Sequence, residues 1–186
     1  LVGSEMCIRD RVDVRRGIDD VLRLTSHRVH GIDVVCEYED VEPVLAHPSK
    51  LQQVWTNLIV NAAEAIEDEA ADLKARAEAS PASGIHLPAR GHDEARITIR
   101  VAMDGDQVEV QICDNGPGIA PEVLDRIMEP HFTTKAGRVR FGLGMGMSIV
   151  HSIIADLDGR LLIDSHPGST TMRILIPAHH VHEEES

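Results

Sequence analysis

Two asparagines one helical turn apart are the first residues in this sequence whose types and spacing could do chemistry. Asn57 and Asn61 lie in a segment with helical periodicity, and Gln53 and Glu64 fall on the same edge of that helix. Amide oxygens one turn apart can converge on a hard cation such as Mg²⁺ that keeps part of its water shell. A solvated polar helix face has the same pattern, so this spacing alone leaves both interpretations open.

The second candidate is the turn DNGPG at 114–118, which directly follows a predicted strand. Asp114 stands at the strand end, and Gly116 and Gly118 let the backbone approach a ligand closely. A carboxylate accepts hydrogen bonds and could therefore bind an exocyclic amine such as N6 of adenine. An ordinary glycine turn without a ligand has the same composition.

The third candidate is a loop with alternate glycines immediately before a predicted helix. Gly142, Gly144 and Gly146 would leave backbone N–H groups and the positive end of the helix dipole free to bind a polyphosphate. The loop lacks the GK[ST] of a P-loop and the G-x-G-x-x-G spacing of a dinucleotide fold. A flexible linker would contain the same glycines.

These candidates occur in a defined order, together with the segment EPHFTTK at 129–135 and a glycine–threonine hairpin near residue 170. In this order they resemble the N, G1, F, G2 and G3 boxes of the catalytic ATP-binding domain of bacterial sensor histidine kinases, within the GHKL superfamily. The resemblance covers about residues 12–178. The FTTK segment and the NAAEA sequence at 61–65 are most similar to the nitrogen-regulation and dicarboxylate-sensor kinases.

The resemblance implies ATP and Mg²⁺ as cofactors and assigns a role to each motif. Asn61 would bind the Mg²⁺ that bridges the phosphates, Asn57 would support the metal or a phosphate, and Lys135 would contact a phosphate. Asp114 would bind the adenine amine. Phe132 would anchor a lid over the nucleotide or serve as an ordinary core aromatic. The other ligand contacts that the resemblance implies are Gly116, Gly118, Thr133, Gly142, Leu143, Gly144, Met145, Gly146, and one of Thr170 and Thr171.

The residue type at position 57 bears on the reaction. Related ATPases of the superfamily carry a glutamate there as general base for water. An amide cannot take up a proton near neutral pH, so Asn57 favours phosphoryl transfer to another nucleophile over rapid hydrolysis. The resemblance implies that the acceptor is a histidine on an upstream dimerisation domain that this chain lacks. The alternatives are a stand-alone serine kinase of the anti-sigma type and a non-catalytic binding module.

The elements that must position these residues follow from periodicity. Helical spacing predicts helices over about 13–30, 49–67 and 146–157, with a short helix after Pro121. Alternation predicts strands near 32–36, 97–101, 108–112, 161–164 and 172–176, with hairpin turns at 104–106 and 167–168. Such blocks predict an α+β fold, a two-layer sandwich whose mixed, mostly antiparallel sheet carries helices on one face. The resemblance identifies it as the Bergerat-type ATP-binding fold.

Three segments fall outside the predicted core of the domain. Residues 1–11 have the sequence expected of a translated sequencing adapter and lack the features of a signal peptide. Residues 67–95 lose periodicity, which predicts a mobile loop or insertion, and residues 179–186 form a polar tail. The ATP-binding domain is therefore predicted over 12–178.

Composition limits the classes of partner. The chain of 186 residues has 18 Lys and Arg against 31 Asp and Glu, a net charge of −13, which argues against general binding to nucleic acid or anionic membranes. Nucleotide binding remains open, because Mg²⁺, backbone N–H groups and a few placed cations can hold a phosphate. The resemblance implies a cytoplasmic domain of a homodimeric kinase that passes phosphate to a response-regulator receiver domain. Most such kinases are anchored in the inner membrane.

Overall fold

The computed structural model describes residues 9–79, 95–124, 126–127 and 146–179. Strands and helices come in blocks along these ranges, as the periodicity predicted. In chain order the elements are β1 (Asp10–Val12), α1 (Val14–Leu24), β2 (Asp33–Tyr38), β3 (Val44–Ala46), α2 (Pro48–Ala79), β4 (Arg96–Asp104), β5 (Gln107–Asp114), α3 (Pro121–Leu124), α4 (Gly146–Ala155), β6 (Arg160–His166) and β7 (Ser169–Pro177).

The main sheet has the strand order β2-β4-β5-β7-β6. β2 runs parallel to β4, whereas the other neighbours are antiparallel and include the predicted hairpins β4–β5 and β6–β7. Gly105 and Gly168 take positive φ in the two hairpin turns. A side sheet pairs β1 with β3. The predicted mixed, mostly antiparallel sheet is thus confirmed.

The two faces of the main sheet differ in polarity. Alternate residues of β5, Val108, Val110 and Ile112, are buried in one apolar cluster with side chains of α1, α2 and α4. Among the residues that the structure describes, the buried side chains of the core are aliphatic or methionine apart from Trp55 of α2, which is fully buried. The opposite face carries ion pairs such as that between Arg96 and Asp33. All three long helices therefore cover a single face of the sheet, as the α+β prediction required.

Helix α2 extends further than its apolar periodicity indicated. The prediction ended this helix at residue 67 and assigned 67–95 to a loop, whereas α2 continues to Ala79. Residues 67–75 are mostly exposed, so they show no apolar stripe. The Ala, Glu, Leu, Lys and Arg residues of 67–79 nevertheless have high helix propensity. The loop prediction is wrong for 67–79, and residues 80–94 lie outside the described ranges.

Two other boundaries differ from the prediction. α1 ends at Leu24 rather than near residue 30, because the Thr25 hydroxyl and N–H both bond to the carbonyl of Val21 and close the last turn. Asp10 and Arg11, which precede the predicted domain start at 12, pair with β3 as part of β1. Three residues are too few to show a periodicity, and only pairing with β3 makes them a strand.

Candidate functional site

The predicted magnesium-binding asparagines lie beside the start of α4. The buried stripe of α2, which includes Leu58, anchors this helix in the core and leaves the edge with Asn57 and Asn61 half-buried. A Cβ placed on Gly146, the first residue of α4, would lie 3.4 Å from Asn57 Oδ1 and 4.0 Å from Asn61 Nδ2. Two motifs separated by more than 80 residues of sequence therefore meet at one point.

Asn61 is oriented by a contact with the first turn of α4. Its Nδ2 donates a hydrogen bond of 3.5 Å to the Met147 sulfur, so its oxygen lies on the other arm of the amide. Within the described ranges no three His, Cys, Asp or Glu side chains cluster to hold a metal. Amide oxygens suit a hard cation that takes its remaining ligands from water and phosphate, so these residues fit Mg²⁺ better than a softer metal.

Asp114 is a buried carboxylate at the end of β5. Its side chain lies on the helix-covered face, and the residue is only 7% exposed. Gly116 N donates a hydrogen bond of 2.9 Å to Asp114 Oδ1. Burial raises the pKa of Asp114 to about 6; the bond from Gly116 opposes this shift and the negative charge of Glu69 adds to it. A buried carboxylate with acceptor capacity left over is suited to a ligand that donates hydrogen bonds.

The 114–118 turn packs against α2. A Cβ on Gly116 would come within 2.9 Å of Asp114 Oδ1 and 3.4 Å of the Ala65 Cβ, so a side chain there would displace the carboxylate. Ala65 lies one turn beyond Asn61 on the same helix. From Asn57 to Ala65 the helix rises about 12 Å at roughly 1.5 Å per residue. Along α2, Ala65 at the carboxylate end therefore lies about 6 Å from Asn61 and about 12 Å from Asn57 at the amide end.

The same turn is bound to the β6–β7 hairpin. Gly118 has φ +83° and approaches so closely that a Cβ would lie 2.3 Å from the His166 carbonyl oxygen. Gly168 N donates to Pro117 O at 3.3 Å, and Ile119 N donates to Ser165 Oγ at 2.8 Å. Only glycine fits position 118, which explains one glycine of the motif by packing rather than by ligand contact.

The structure separates the two candidate threonines. Thr170 is the register partner of Asp114, is buried on the same face and shares a contact of 3.0 Å with Ser165 Oγ. Thr171 lies on the opposite face, where its hydroxyl is 2.9 Å from Cys113 Sγ. Thr170 therefore belongs to the Asp114 cluster and Thr171 does not, because neighbouring residues of a strand point to opposite faces.

Ser165 was not among the predicted site residues, although its position carries a signal. Along β6 the side chains of Leu161 and Ile163 contact the core, and Ser165 continues the same inward series. A hydroxyl at an inward position needs partners and so indicates a polar cluster. The other predicted site residues, Phe132, Thr133, Lys135, Gly142, Leu143, Gly144 and Met145, lie outside the described residues.

Residues 46–180 match the family described as Histidine kinase-, DNA gyrase B-, and HSP90-like ATPase. The chain is 38% identical over 136 residues to the Sensory histidine kinase/phosphatase NtrB of Rhizobium meliloti (strain 1021), which covers 73% of this chain and 32% of that protein. It is 34% identical over 160 residues to the Sensor kinase CckA of Brucella abortus (strain 2308), covering 84% of this chain and 16% of that protein. The chain thus spans a third or less of these relatives.

Full-length ShkA in complex with AMPPNP shares the fold, with a TM-score of 0.70 and 22% identity over 96% of this chain and 33% of that one. This likeness supports the predicted sandwich. In the ranges that the structure describes, no helix combines the length and apolar character needed to cross a membrane. On the match over 46–180, the chain belongs to the histidine kinase-, DNA gyrase B- and HSP90-like ATPase family, and its sequence relatives show it to be an ATP-binding domain of the kind found in sensor histidine kinases.

Proposed function

We propose that this domain binds Mg²⁺-ATP and donates its γ-phosphate to a histidine of a dimerisation domain, as the catalytic part of a sensor histidine kinase. The observation that carries the proposal is that Asn57, Asn61 and Gly146 meet one to two turns of α2 away from Ala65, against which the glycine turn of the buried Asp114 packs. One end has the chemistry for an adenine amine, and the other has the chemistry for phosphates and a hard cation.

At the adenine end, the Asp114 carboxylate accepts a hydrogen bond from the N6 amine. Burial strengthens this bond, because water does not compete for the carboxylate. Gly116 has no side chain, which leaves room for the base beside Ala65. Any side chain at this position would also displace the carboxylate. The ordered turn thus holds the acceptor in place before the nucleotide arrives.

At the phosphate end, α4 begins at Gly146, and its first N–H groups would donate to phosphate oxygens where the helix dipole is positive. The Asn61 oxygen would hold Mg²⁺, which supplies charge neutralisation of the phosphates when bound. Asn57 offers an amide beside the same point and no group that can remove a proton from water. The site therefore favours transfer to an incoming nucleophile over hydrolysis, and positioning and charge stabilisation carry the catalysis.

The wider context of the reaction rests on the relatives. CckA and NtrB are described as a sensor kinase and a sensory histidine kinase/phosphatase. By analogy we propose a homodimeric parent whose upstream helices carry the acceptor histidine and whose phosphate passes to a response-regulator receiver domain. Lys135 is proposed as a phosphate contact, and Phe132 and Thr133 as further nucleotide contacts. Gly142, Leu143, Gly144 and Met145 are proposed as backbone contacts to the phosphates. The parent's attachment to the inner membrane belongs to the same proposal.

Calorimetry with ATP, in Mg²⁺ and in EDTA, tests the site. The wild-type chain should bind ATP in both, more tightly with Mg²⁺. Asp114→Ala should weaken binding roughly 10- to 100-fold, the range expected for a lost hydrogen bond to a charged group. Asn61→Ala should lower affinity only when Mg²⁺ is present. Asp104→Ala and Asp72→Ala, exposed residues on β4 and α2, are the matched controls. Absence of ATP binding by the wild-type chain would refute the proposal.

The acceptor needs a separate experiment. Recovery of the coding sequence upstream of this chain should reveal a helix pair with a histidine followed by an acidic residue. Joined to that segment, the protein should form acid-labile, base-stable phosphohistidine from labelled ATP. A native start codon near Val12 with transfer to a serine would instead identify the anti-sigma type of kinase.

A further inference from the structure

Ser165 connects three groups at the adenine end of the site. Its Oγ accepts a hydrogen bond from Ile119 N at 2.8 Å. The same atom is 3.2 Å from Ser169 O and 3.0 Å from Thr170 Oγ1. Ser165 thus joins the strand β6, the turn that follows Asp114 and the one buried threonine that neighbours this carboxylate.

The hydroxyl has one proton and two acceptors within reach, so two arrangements are available. If Ser165 donates to Ser169 O, Thr170 donates its own proton back to Ser165. If Ser165 donates to Thr170 Oγ1, the Thr170 proton is released toward the ligand. The bond from Ile119 N polarises the Ser165 O–H and makes it a stronger donor.

The second arrangement matches the edge of adenine. Adenine presents the N6 amine, a donor, next to N1, an acceptor. Asp114 and Thr170 are register partners on adjacent strands, which places their Cβ atoms about 4.5–5.5 Å apart. A carboxylate acceptor beside a hydroxyl donor is the complement of that edge, reached directly or through one water.

We propose that Ser165 is a positioning residue for adenine recognition. It completes a one-way chain of donors from Ile119 N–H through Ser165 O–H and Thr170 O–H to N1 of the base. This role rests on the proposed adenine site at Asp114. It differs from simple anchoring of the turn, because anchoring affects every purine ligand equally, whereas the donor chain matters only for ligands that carry an acceptor at N1.

The test compares ADP with 1-deaza-ADP, which keeps the N6 amine and lacks N1. Dissociation constants for the full chain come from competition with a fluorescent nucleotide. The wild type should prefer ADP about fivefold, within the range of one neutral hydrogen bond. Ser165→Ala should bind both ligands more weakly and prefer ADP by less than about twofold, because Thr170 Oγ1 loses the donor that orients its own proton toward N1 and can donate that proton to the neighbouring Asp114 carboxylate instead. Ser165→Thr keeps the hydroxyl and should retain the preference.

Ser152→Ala, an exposed serine of α4, is the matched control and should behave as wild type. If Ser165→Ala does not fold, Ser165→Cys replaces it, because a thiol has similar size and is a weak donor, and the same loss is expected. Equal weakening of both ligands with the fivefold preference retained would overturn the donor chain and leave only an anchor. Wild-type binding of ADP without any preference over 1-deaza-ADP would also overturn it. No ADP binding by the wild type would refute the underlying site itself.

Discussion

The adenine end and the phosphate end of the site are built on different principles. Asp114 is 7% exposed, and the turn after it is bound to the β6–β7 hairpin through Ile119, Pro117 and the close approach of Gly118. At the phosphate end the amides of Asn57 and Asn61 are half-buried, and Asn61 is held to α4 by a weak bond to sulfur. The adenine end is thus fixed by hydrogen bonds before the ligand binds, whereas the amides that the structure describes at the phosphate end stay half-exposed.

This difference matches what each end must recognise. A base is rigid and presents few polar atoms, so a preorganised acceptor gives specificity at low entropic cost. Phosphates move during transfer and arrive with a cation, so the protein offers oxygens and N–H groups that the cation and phosphates complete. Substitutions should consequently act on stability and base specificity at one end, and on phosphate-dependent affinity at the other.

The largest effect is expected for Gly118→Ala. Its φ of +83° and the 2.3 Å approach of a Cβ to the His166 carbonyl should together lower the free energy of unfolding by about 3 kcal/mol or more. Gly105→Ala is the matched control, because its φ is +62° with no atom near the added Cβ. It should cost about 1 kcal/mol. Equal losses in urea unfolding would show that the packing at 118 is unimportant.

Asp114→Asn should move affinity and stability in opposite directions. An amide is a poorer partner for N6, so ADP should bind about tenfold or more weakly in calorimetry. Burial raises the pKa of the native carboxyl from 3.8 to about 6, so its ionisation costs stability that grows between those values and is complete above pH 6. Without bound nucleotide, the Asp114→Asn variant should therefore be about 1–3 kcal/mol more stable than the wild type at pH 8 and equally stable at pH 3. A loss of stability at pH 8 would contradict this account.

The pH dependence of binding isolates the same carboxyl in the wild type. With the pKa of Asp114 near 6, about one tenth of the molecules are ionised at pH 5. Affinity for ADP should therefore fall roughly tenfold from pH 7.5 to 5. Asp114→Asn should show a flatter profile over this range, and an unchanged slope would assign the titration to another group.

Gly146→Ala should have the smallest effect and one confined to the phosphate end. The added methyl makes only ordinary contact with Asn57 at 3.4 Å, so stability should not fall. It would occupy space at the first N–H groups of α4, and ATP should bind about threefold more weakly, the scale of a helix-terminus interaction. Affinity for AMP should fall less than affinity for ATP. An equal loss for both would place the phosphates elsewhere.

Local patterns in the sequence were enough to predict the fold class, both hairpins and the residue types at the two ends of the site. Alternation of apolar and polar residues predicted β5, and the end of the apolar series after Cys113 indicated Asp114 as a candidate site residue. The helix was missed at 67–79, because apolar periodicity reports burial and the side chains of 67–75 are mostly exposed. The strand β1 was missed because it exists only through its pairing with β3.

The residue types of the site could thus be recognised from local sequence, whereas their positions relative to one another depend on long-range packing. The sequence alone showed that two amides, a carboxylate and glycines were present in the order of a known family. Only the tertiary structure showed that Gly146 lies beside Asn57 and that burial raises the pKa of Asp114. It also showed that Thr170, and not Thr171, lies on the same face as Asp114, and that Ser165 contacts Thr170. These outcomes depend on the register of β5 with β7 and the packing of α4 on α2, which are contacts between residues far apart in the chain.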